Sequence, residues 1–219
     1  TFTRASDGTC TKGNVTSGIA NGDLVVCSTD QPRVMAGGHG AGTRGLLIEA
    51  AATNSLIQSA QLCNVAWSDV GTPSCSADSS AGPWGTTTMD LLTDNDGAAY
   101  EGRSQSIVST SATQHAVSCY VKAGTATSAT ITMVGTGASA GDCTGTVTGL
   151  SGTTSSRISC ASPAAYAGTL TAVTVSIKVG TAASDQGTLL VESCDHGEAK
   201  AYVTSHVPTV TVAVTRAAD

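Results

Sequence analysis

The chain has 219 residues, of which 12% are charged, 3% aromatic and 40% apolar, with a formal net charge of −6. That length suits one large all-β domain, and a chain so poor in charge and Pro is unlike a disordered one. No Lys/Arg run exists to neutralise phosphates, which excludes nucleic acid as a partner, and no stretch nears the ~18 consecutive apolar residues of a membrane span.

The first feature along the chain is an echo. Phe2-Thr3-Arg4-Ala5-Ser6-Asp7 is matched by Val214-Thr215-Arg216-Ala217-Ala218-Asp219 at the far end. The chain opens on Thr1 with no initiator Met and no signal peptide, which reads as a processed or trimmed chain. Residues 1–43 read as an N-terminal strand or hairpin appendage that runs into the Gly-rich loop AGGHGAGTRG (36–45). That loop resembles a phosphate cradle but lacks the Gly-Lys-Ser/Thr ending, and no helix pattern follows it; His39 at its tip reads as solvated. A short turn over Asn54 to Gln58 is the best helical candidate, and Trp67, flanked by Val65 and Ala66, reads as core.

Turn formers then cluster at SADSSAGPWG (76–85), TDNDG (93–97) and GTGASAGD (135–142). Period-two alternation dominates the second half. Val117, Cys119 and Val121 share a face opposite Ser118, Tyr120 and Lys122. Val173, Val175, Ile177 and Val179 alternate with Thr174, Ser176 and Lys178, and Val210, Val212 and Val214 alternate with Thr209, Thr211 and Thr215. Many short strands joined by Gly-rich turns, without a helical stripe, predict an all-β fold: an antiparallel β-sandwich of jelly-roll type forming a single domain over 1–219.

Eight cysteines stand at Cys10, Cys27, Cys63, Cys75, Cys119, Cys143, Cys160 and Cys194. None are as close as a zinc site's C-x(2–4)-C pairs, so the even count reads as four disulfides formed in an oxidising compartment. Many connectivities fit the count. A mostly local pairing is expected: Cys10–Cys27, Cys63–Cys75 and Cys143–Cys160, with Cys119–Cys194 as the long-range tie because Cys119 lies on a core-facing row.

Several motifs resemble chemistry. GASAG (137–141) fits the G-x-S-x-G nucleophile elbow, and Ser139, Asp185 and His206 are a candidate hydrolase trio, but the helix that should follow such an elbow has no pattern here. CDHGE (194–198) and TDNDG offer Asp195, Glu198, Asp94 and Asp96 as candidate oxygen ligands for a structural Ca²⁺. Neither cluster supplies a full ligand set alone, and Asp/Gly clusters commonly make turns. No other cofactor is expected. For a glycan, Trp84 is the candidate stacking platform, with Tyr100 and Tyr166 behind it, while so few aromatics weigh against a wide stacking surface. Asn14-Val15-Thr16 is a sequon that would matter only in a glycosylating host.

The stretch RGLLIEAAATNSLIQSAQLCNVAW (44–67) resembles the signature of a module found in phage tail-fibre and head-spike-fibre proteins, through Gly45, Leu46, Leu47, Ile48, Glu49, Thr53, Asn54, Asn64, Ala66 and Trp67. TFTRAS at the start, QPRV (31–34), GTTTMDLL (85–92), SCYVKAG (118–124), TSHVPT (204–209) and VTRAAD fall in the same order as that family's segments. The resemblance implies a carbohydrate-binding-like jelly roll with an attachment or assembly role and no catalytic residues. Ala52, His206 and Val207 depart from the family's usual residues. So do the eight cysteines, which favour a secreted relative over a virion protein assembled in a reducing cytoplasm.

Three functions follow as expectations. The first is a non-enzymatic extracellular structural or adhesive module, a self-associating fibre or filament subunit at a cell or virion surface. The second is a glycan-binding receptor-recognition domain of a phage, prophage or predatory-bacterium fibre, contacting sugar through loops 36–44, 76–85 and 93–103. The third is a serine hydrolase at Ser139. For the first, the terminal segments are the expected strand donors, through Thr1, Phe2, Thr3, Arg4, Val210, Val212, Val214 and Arg216.

Overall fold

The computed structural model describes residues 52–83, 85–198 and 206–216, together with the backbone of four short strands before them. In chain order the strands are β1 (Gly8–Thr11), β2 (Leu24–Cys27), β3 (Arg33–Ala36), β4 (Arg44–Leu47), β5 (Ala52–Asn54), β6 (Ser68–Val70), β7 (Ser74–Ala81) and β8 (Thr87–Asp94). They continue with β9 (Gly102–Val108), β10 (His115–Ala123), β11 (Ser128–Thr136), β12 (Cys143–Thr148), β13 (Ser156–Ala161), β14 (Ala172–Val179), β15 (Gly187–Glu198) and β16 (Val214–Arg216). No helix occurs among the described residues.

The chain divides into two compact units. One comprises Thr1–Ala52 with Thr215–Asp219, the other Thr53–Val214. In the first, β1 pairs antiparallel with β2 and β3 with β4. This unit extends past residue 43 because β4, which begins at Arg44, is the partner of β3. The expected Cys10–Cys27 bridge concerns side chains outside the described residues, as do His39, Asn14, Thr1, Phe2, Thr3 and Arg4.

The second unit is an antiparallel sandwich. Its front sheet has the order β13-β10-β15-β8-β7 and its back sheet β12-β11-β14-β9-β6. The chain crosses repeatedly between the two layers, as a jelly roll does. The alternation seen in the sequence supplies the core: Val117, Cys119 and Val121 of β10 and Val173, Val175, Ile177 and Val179 of β14 are wholly buried. Leu56, Leu62 and Trp67 close the same core from the segment after β5.

Three disulfides staple the sandwich. Cys63–Cys75 joins the loop after β5 to β7, Cys143–Cys160 links an edge strand of the back sheet to an edge strand of the front sheet, and Cys119–Cys194 ties β10 to β15 across 75 residues. The β12–β13 edge is tight: a Cβ on Gly145 would lie 2.0 Å from the Ser159 carbonyl oxygen.

Two expectations are corrected here. Asn54 to Gln58 is not a helical turn. The Asn54 Oδ1 accepts the Leu56 N–H, Gln58 sits at φ +50°, and the Gln58 and Ser59 N–H groups donate to the Val210 and Thr209 carbonyls. The backbone partners therefore come from the closing segment and not from residues four back. Val210 and Val212 do not form a buried strand row either. They are 64% and 65% exposed in bends, and only Val214 to Arg216 is extended, paired with β5.

A polar seam runs through the closing end of the sandwich. Buried Asn54 donates from Nδ2 to the Cys194 carbonyl (3.0 Å), Asp195 Oδ1 (3.0 Å) and the Val207 carbonyl (2.8 Å), and its Oδ1 also accepts the His196 N–H at 2.9 Å. Thr209 continues the seam, its N–H donating to Ser59 Oγ and its hydroxyl to the Leu56 carbonyl. Asn64 and Trp67 are structural as well. Asn64 Oδ1 accepts the Ala66 N–H, Trp67 Nε1 donates to the Gln58 carbonyl, and Arg103 clamps the Leu62, Asn64 and Trp67 carbonyls. Of the signature residues, Asn54 thus locks the first and last parts of this unit together, while Asn64 and Trp67 fix the segment after β5 on itself and on Arg103.

Beside the seam, His115 and His196 are buried ring against ring. His115 Nε2 donates to the Ser111 carbonyl at 3.1 Å, so its Nδ1 accepts from His196 Nε2, also at 3.1 Å, and His196 Nδ1 is left without a partner. Burial, with the His115 ring a lesser cause, pushes the His196 imidazole down to about 3, and burial also lowers His115.

Candidate functional site

Strand register fixes which side chains meet on the outer face of the front sheet. Tyr120 lies between Arg157 of β13 and Glu192 of β15, Ser118 lies between Ser159 and Asp195, and Lys122 is opposite Leu190. In a regular strand residues 192 and 195 would face opposite sides. A bulge intervenes: the register slips by one residue between Ser118 and Tyr120, and Ser193 takes φ +56°. The extra residue turns Cys194 and His196 inward and keeps Glu192 and Asp195 outward.

The face is polar and largely roofed by the chain itself. Arg157 donates from Nε (3.1 Å) and Nη2 (2.8 Å) to Ser118 Oγ, and its guanidinium stands 5.7 Å from the centre of the Tyr120 ring. Asp195 Oδ2 lies 2.9 Å from His206 Nδ1 and 4.0 Å from Arg157 Nη2, while its Oδ1 accepts the Val207 N–H. At the other end, Lys122 Nζ donates to Ser80 Oγ (2.7 Å) and the Ala81 carbonyl (2.9 Å), which draws the β7–β8 hairpin tip over the face. Glu192 is buried there, with Oε1 accepting from the Thr88 hydroxyl at 2.7 Å. Burial raises its carboxyl above the usual range, and the Thr88 bond only partly opposes this. Towards the β13 edge of the face stand half-buried Tyr120 and Arg157 and exposed Ser159.

The residues singled out from sequence are dispersed. Trp84 lies outside the described residues. Tyr166 is only 2% exposed and packs edge-on against His115, so it belongs to the core and offers no platform. Its phenol is pushed up to about 12 by burial and by the charge of Asp142. Tyr100 donates to the Thr181 carbonyl at 2.7 Å beneath Lys178, away from the front-sheet face.

The four acids proposed for Ca²⁺ form two separate groups. Asp94 is in register with Gly187, whereas Asp195 and Glu198 lie at the opposite end of β15. Asp94 accepts the Asp96 and Glu101 N–H groups, and Asp96 accepts the Ala98 N–H, so both build the turn before β9. Buried Glu101 completes it: burial acts to raise its carboxyl, but the Asn95 N–H and the Thr72 hydroxyl and N–H outweigh that and lower it. A Cys63, Cys75 and Asp90 cluster has metal-like spacing, yet its sulfurs are bonded to each other.

The hydrolase trio is not assembled. Ser139 follows the Thr136 end of β11, Asp185 caps the turn at Thr181 beside the Ser128 end, and His206 is engaged with Asp195 on the front sheet. Tyr120, Arg157, Lys122 and Glu192 carry the face instead. The only sequence sign of them was that Tyr120 and Lys122 stood opposite the core row of β10.

No protein-family model and no curated protein sequence matches the chain. Similar solved structures include the enzymatically active domain of tailspike protein 4 of bacteriophage CBA120 (17% identity, TM-score 0.45, 66% of this chain and 21% of that one). The CBM22-1 and GH10 modules of Clostridium thermocellum xylanase 10B align at 13% identity and TM-score 0.48, over 73% of this chain and 30% of that one. The CBM22-1 xylan-binding domain of Paenibacillus barcinonensis Xyn10C aligns at 13% identity and TM-score 0.45, over 71% of this chain and all of that one. The chain spans under a third of the length of the first two, and these likenesses concern the course of a sandwich, assigning no ligand or activity.

Proposed function

We propose that the Thr53–Val214 sandwich is a non-catalytic glycan-recognition module of an extracellular protein. The observation that carries this reading is the Tyr120–Arg157 pair, half-buried near the β13 edge of the front sheet. A sugar presents an apolar C–H face and a rim of hydroxyls, which an aromatic ring and a planar guanidinium complement. Both side chains rise from paired strands, and Ser118 orients the guanidinium, so little ordering is left for binding to impose. Three disulfides suit an oxidising compartment. On a printed glycan array the protein is expected to retain specific sugars, and Tyr120→Ala to weaken retention ~10-fold with an unchanged melting temperature. A blank array, or full binding by the variant, would falsify the reading.

A second reading is self-association into a fibre, favoured by the exposure of Val210 and Val212 just before β16 and of Val214 at its start. Exposed alternating valines beside a strand edge invite another chain. Removing residues 1–7, or replacing Val210 and Val212 by Lys, is then expected to disperse any filament to folded monomer in sedimentation. Filaments that survive both changes exclude strand donation by these segments.

A further inference from the structure

The hairpin tip over the front sheet has an energetic peculiarity. Glu192 is 3% exposed, and its Oε2 has no hydrogen-bond partner. Directly above lies Gly82, where a Cβ would fall 1.8 Å from that oxygen. A side chain there would have to push the Glu192 carboxylate aside. Lys122, 6% exposed, spends its charge on two neutral oxygens of the same tip, the Ser80 hydroxyl and the Ala81 carbonyl. Lys122 and Glu192 are diagonal neighbours on paired strands, since Lys122 is opposite Leu190 and Tyr120 is opposite Glu192. Such neighbours lie ~7–8 Å apart, within reach of one small ligand.

Resting on the glycan reading, we propose that Lys122, Glu192 and Thr88 form a sugar subsite extending the Tyr120–Arg157 pair, and that the 80–83 tip is a lid whose own oxygens occupy it. The Ser80 hydroxyl and the Ala81 carbonyl accept from Lys122 as two neighbouring sugar oxygens would. The imitation is incomplete, because the lid offers Glu192 Oε2 a glycine carbon where a hydroxyl would donate. A buried acceptor left empty destabilises the closed lid. Vicinal sugar hydroxyls repair this, since each both donates and accepts: one accepts from Lys122 Nζ while its neighbour donates to Glu192 Oε2. A purely anionic ligand would meet the Glu192 carboxylate, and an apolar one would leave both groups unpaired, so the subsite selects for neutral polyols. The tip carries its own reporters, Gly82 N–H donating to the Thr86 carbonyl (2.7 Å) and Gly85 N–H to the Gly82 carbonyl (3.1 Å), two bonds that open when the tip unfolds away from the face.

Amide hydrogen exchange on the whole chain, with and without sugars identified on the array, tests the lid. Binding is expected to speed exchange at Gly82 and Gly85 at least ten-fold as the tip lifts, and Glu192→Gln to weaken binding at least ten-fold while the fold persists. Lys122→Met without ligand is expected to speed the same two amides, because the latch is gone. A bound sugar that leaves these amides unchanged, or binds Glu192→Gln as well as the parent, overturns the lid and its subsite while leaving the glycan reading standing. Unchanged exchange in Lys122→Met overturns the latch. A blank array overturns the glycan reading itself and, with it, this subsite.

Discussion

Acidification from pH 7 to pH 4 is expected to cost the sandwich about 3 kcal/mol through His196 alone. In the folded protein this imidazole is neutral down to about 3, because it is wholly buried and its one ring partner is another imidazole. In the unfolded chain it titrates near its ordinary value of ~6.5. Above that value both states are neutral and the group contributes no pH dependence. Below it the unfolded state binds a proton that the folded state refuses, so stability falls steadily until about pH 3, where the folded state accepts it too. His115, also lowered by burial, adds to the slope, although the charge of Glu198 acts on it in the opposite sense. Carboxyls complicate the total. Asp90, Asp94 and Glu192 are raised by burial, which relieves the folded state as pH falls, while Glu101 and Asp185 are lowered and lose stability in acid. The difference between parent and His196→Gln isolates the histidine, because the amide can still donate toward His115 but cannot titrate. Urea midpoints at pH 7 and pH 4 should show the parent losing about 3 kcal/mol more than the variant. Parallel losses in the two proteins would show that the ring pair does not govern acid sensitivity.

Asn54→Ala is expected to destabilise the sandwich by on the order of 3–5 kcal/mol, since it removes one side chain that bonds five backbone or carboxylate groups. The His196 N–H and the Cys194 and Val207 carbonyls would be left buried without this partner. For a unit of this size that loss lowers the melting temperature by roughly 10 °C. Differential scanning calorimetry decides the matter, and a shift of only a degree or two would mean that water or relaxed backbone replaces the amide.

The strands of this protein were legible where one face alternates cleanly. The β14 row from Val173 to Val179 and the β10 row from Val117 to Val121 could be placed from period alone, because each is buried on one side by the opposite sheet. The Cys119–Cys194 tie was readable for the same reason: a cysteine on a core row must find its partner within the core. The valines at 210, 212 and 214 carry the same pattern but misled, because alternation records which residues share a side and says nothing about whether anything covers it. The front-sheet face was harder. Tyr120, Lys122 and Glu192 are outward positions, which ordinarily means solvent, and no local signal tells that a hairpin tip bends back over them. The bulge at Ser193 was equally silent, and without it Glu192 and Asp195 would be assigned to opposite sides.

Asn54 also sets a schedule for folding. Its partners at Cys194, Asp195 and Val207 lie 140 to 153 residues downstream. On a ribosome adding ~5–20 residues each second, the segment after β5 therefore waits many seconds before the residues that anchor it emerge. Until then Arg103 can hold the Leu62, Asn64 and Trp67 carbonyls, but Asn54, Gln58 and Ser59 lack their partners in β15 and the closing segment. A topology so dependent on distant pairing is slow to complete, and a chain cut short before Val207 cannot complete it. The closing segment thus gates the completion of the sandwich: only a chain that has reached Val207 can satisfy the amide of Asn54.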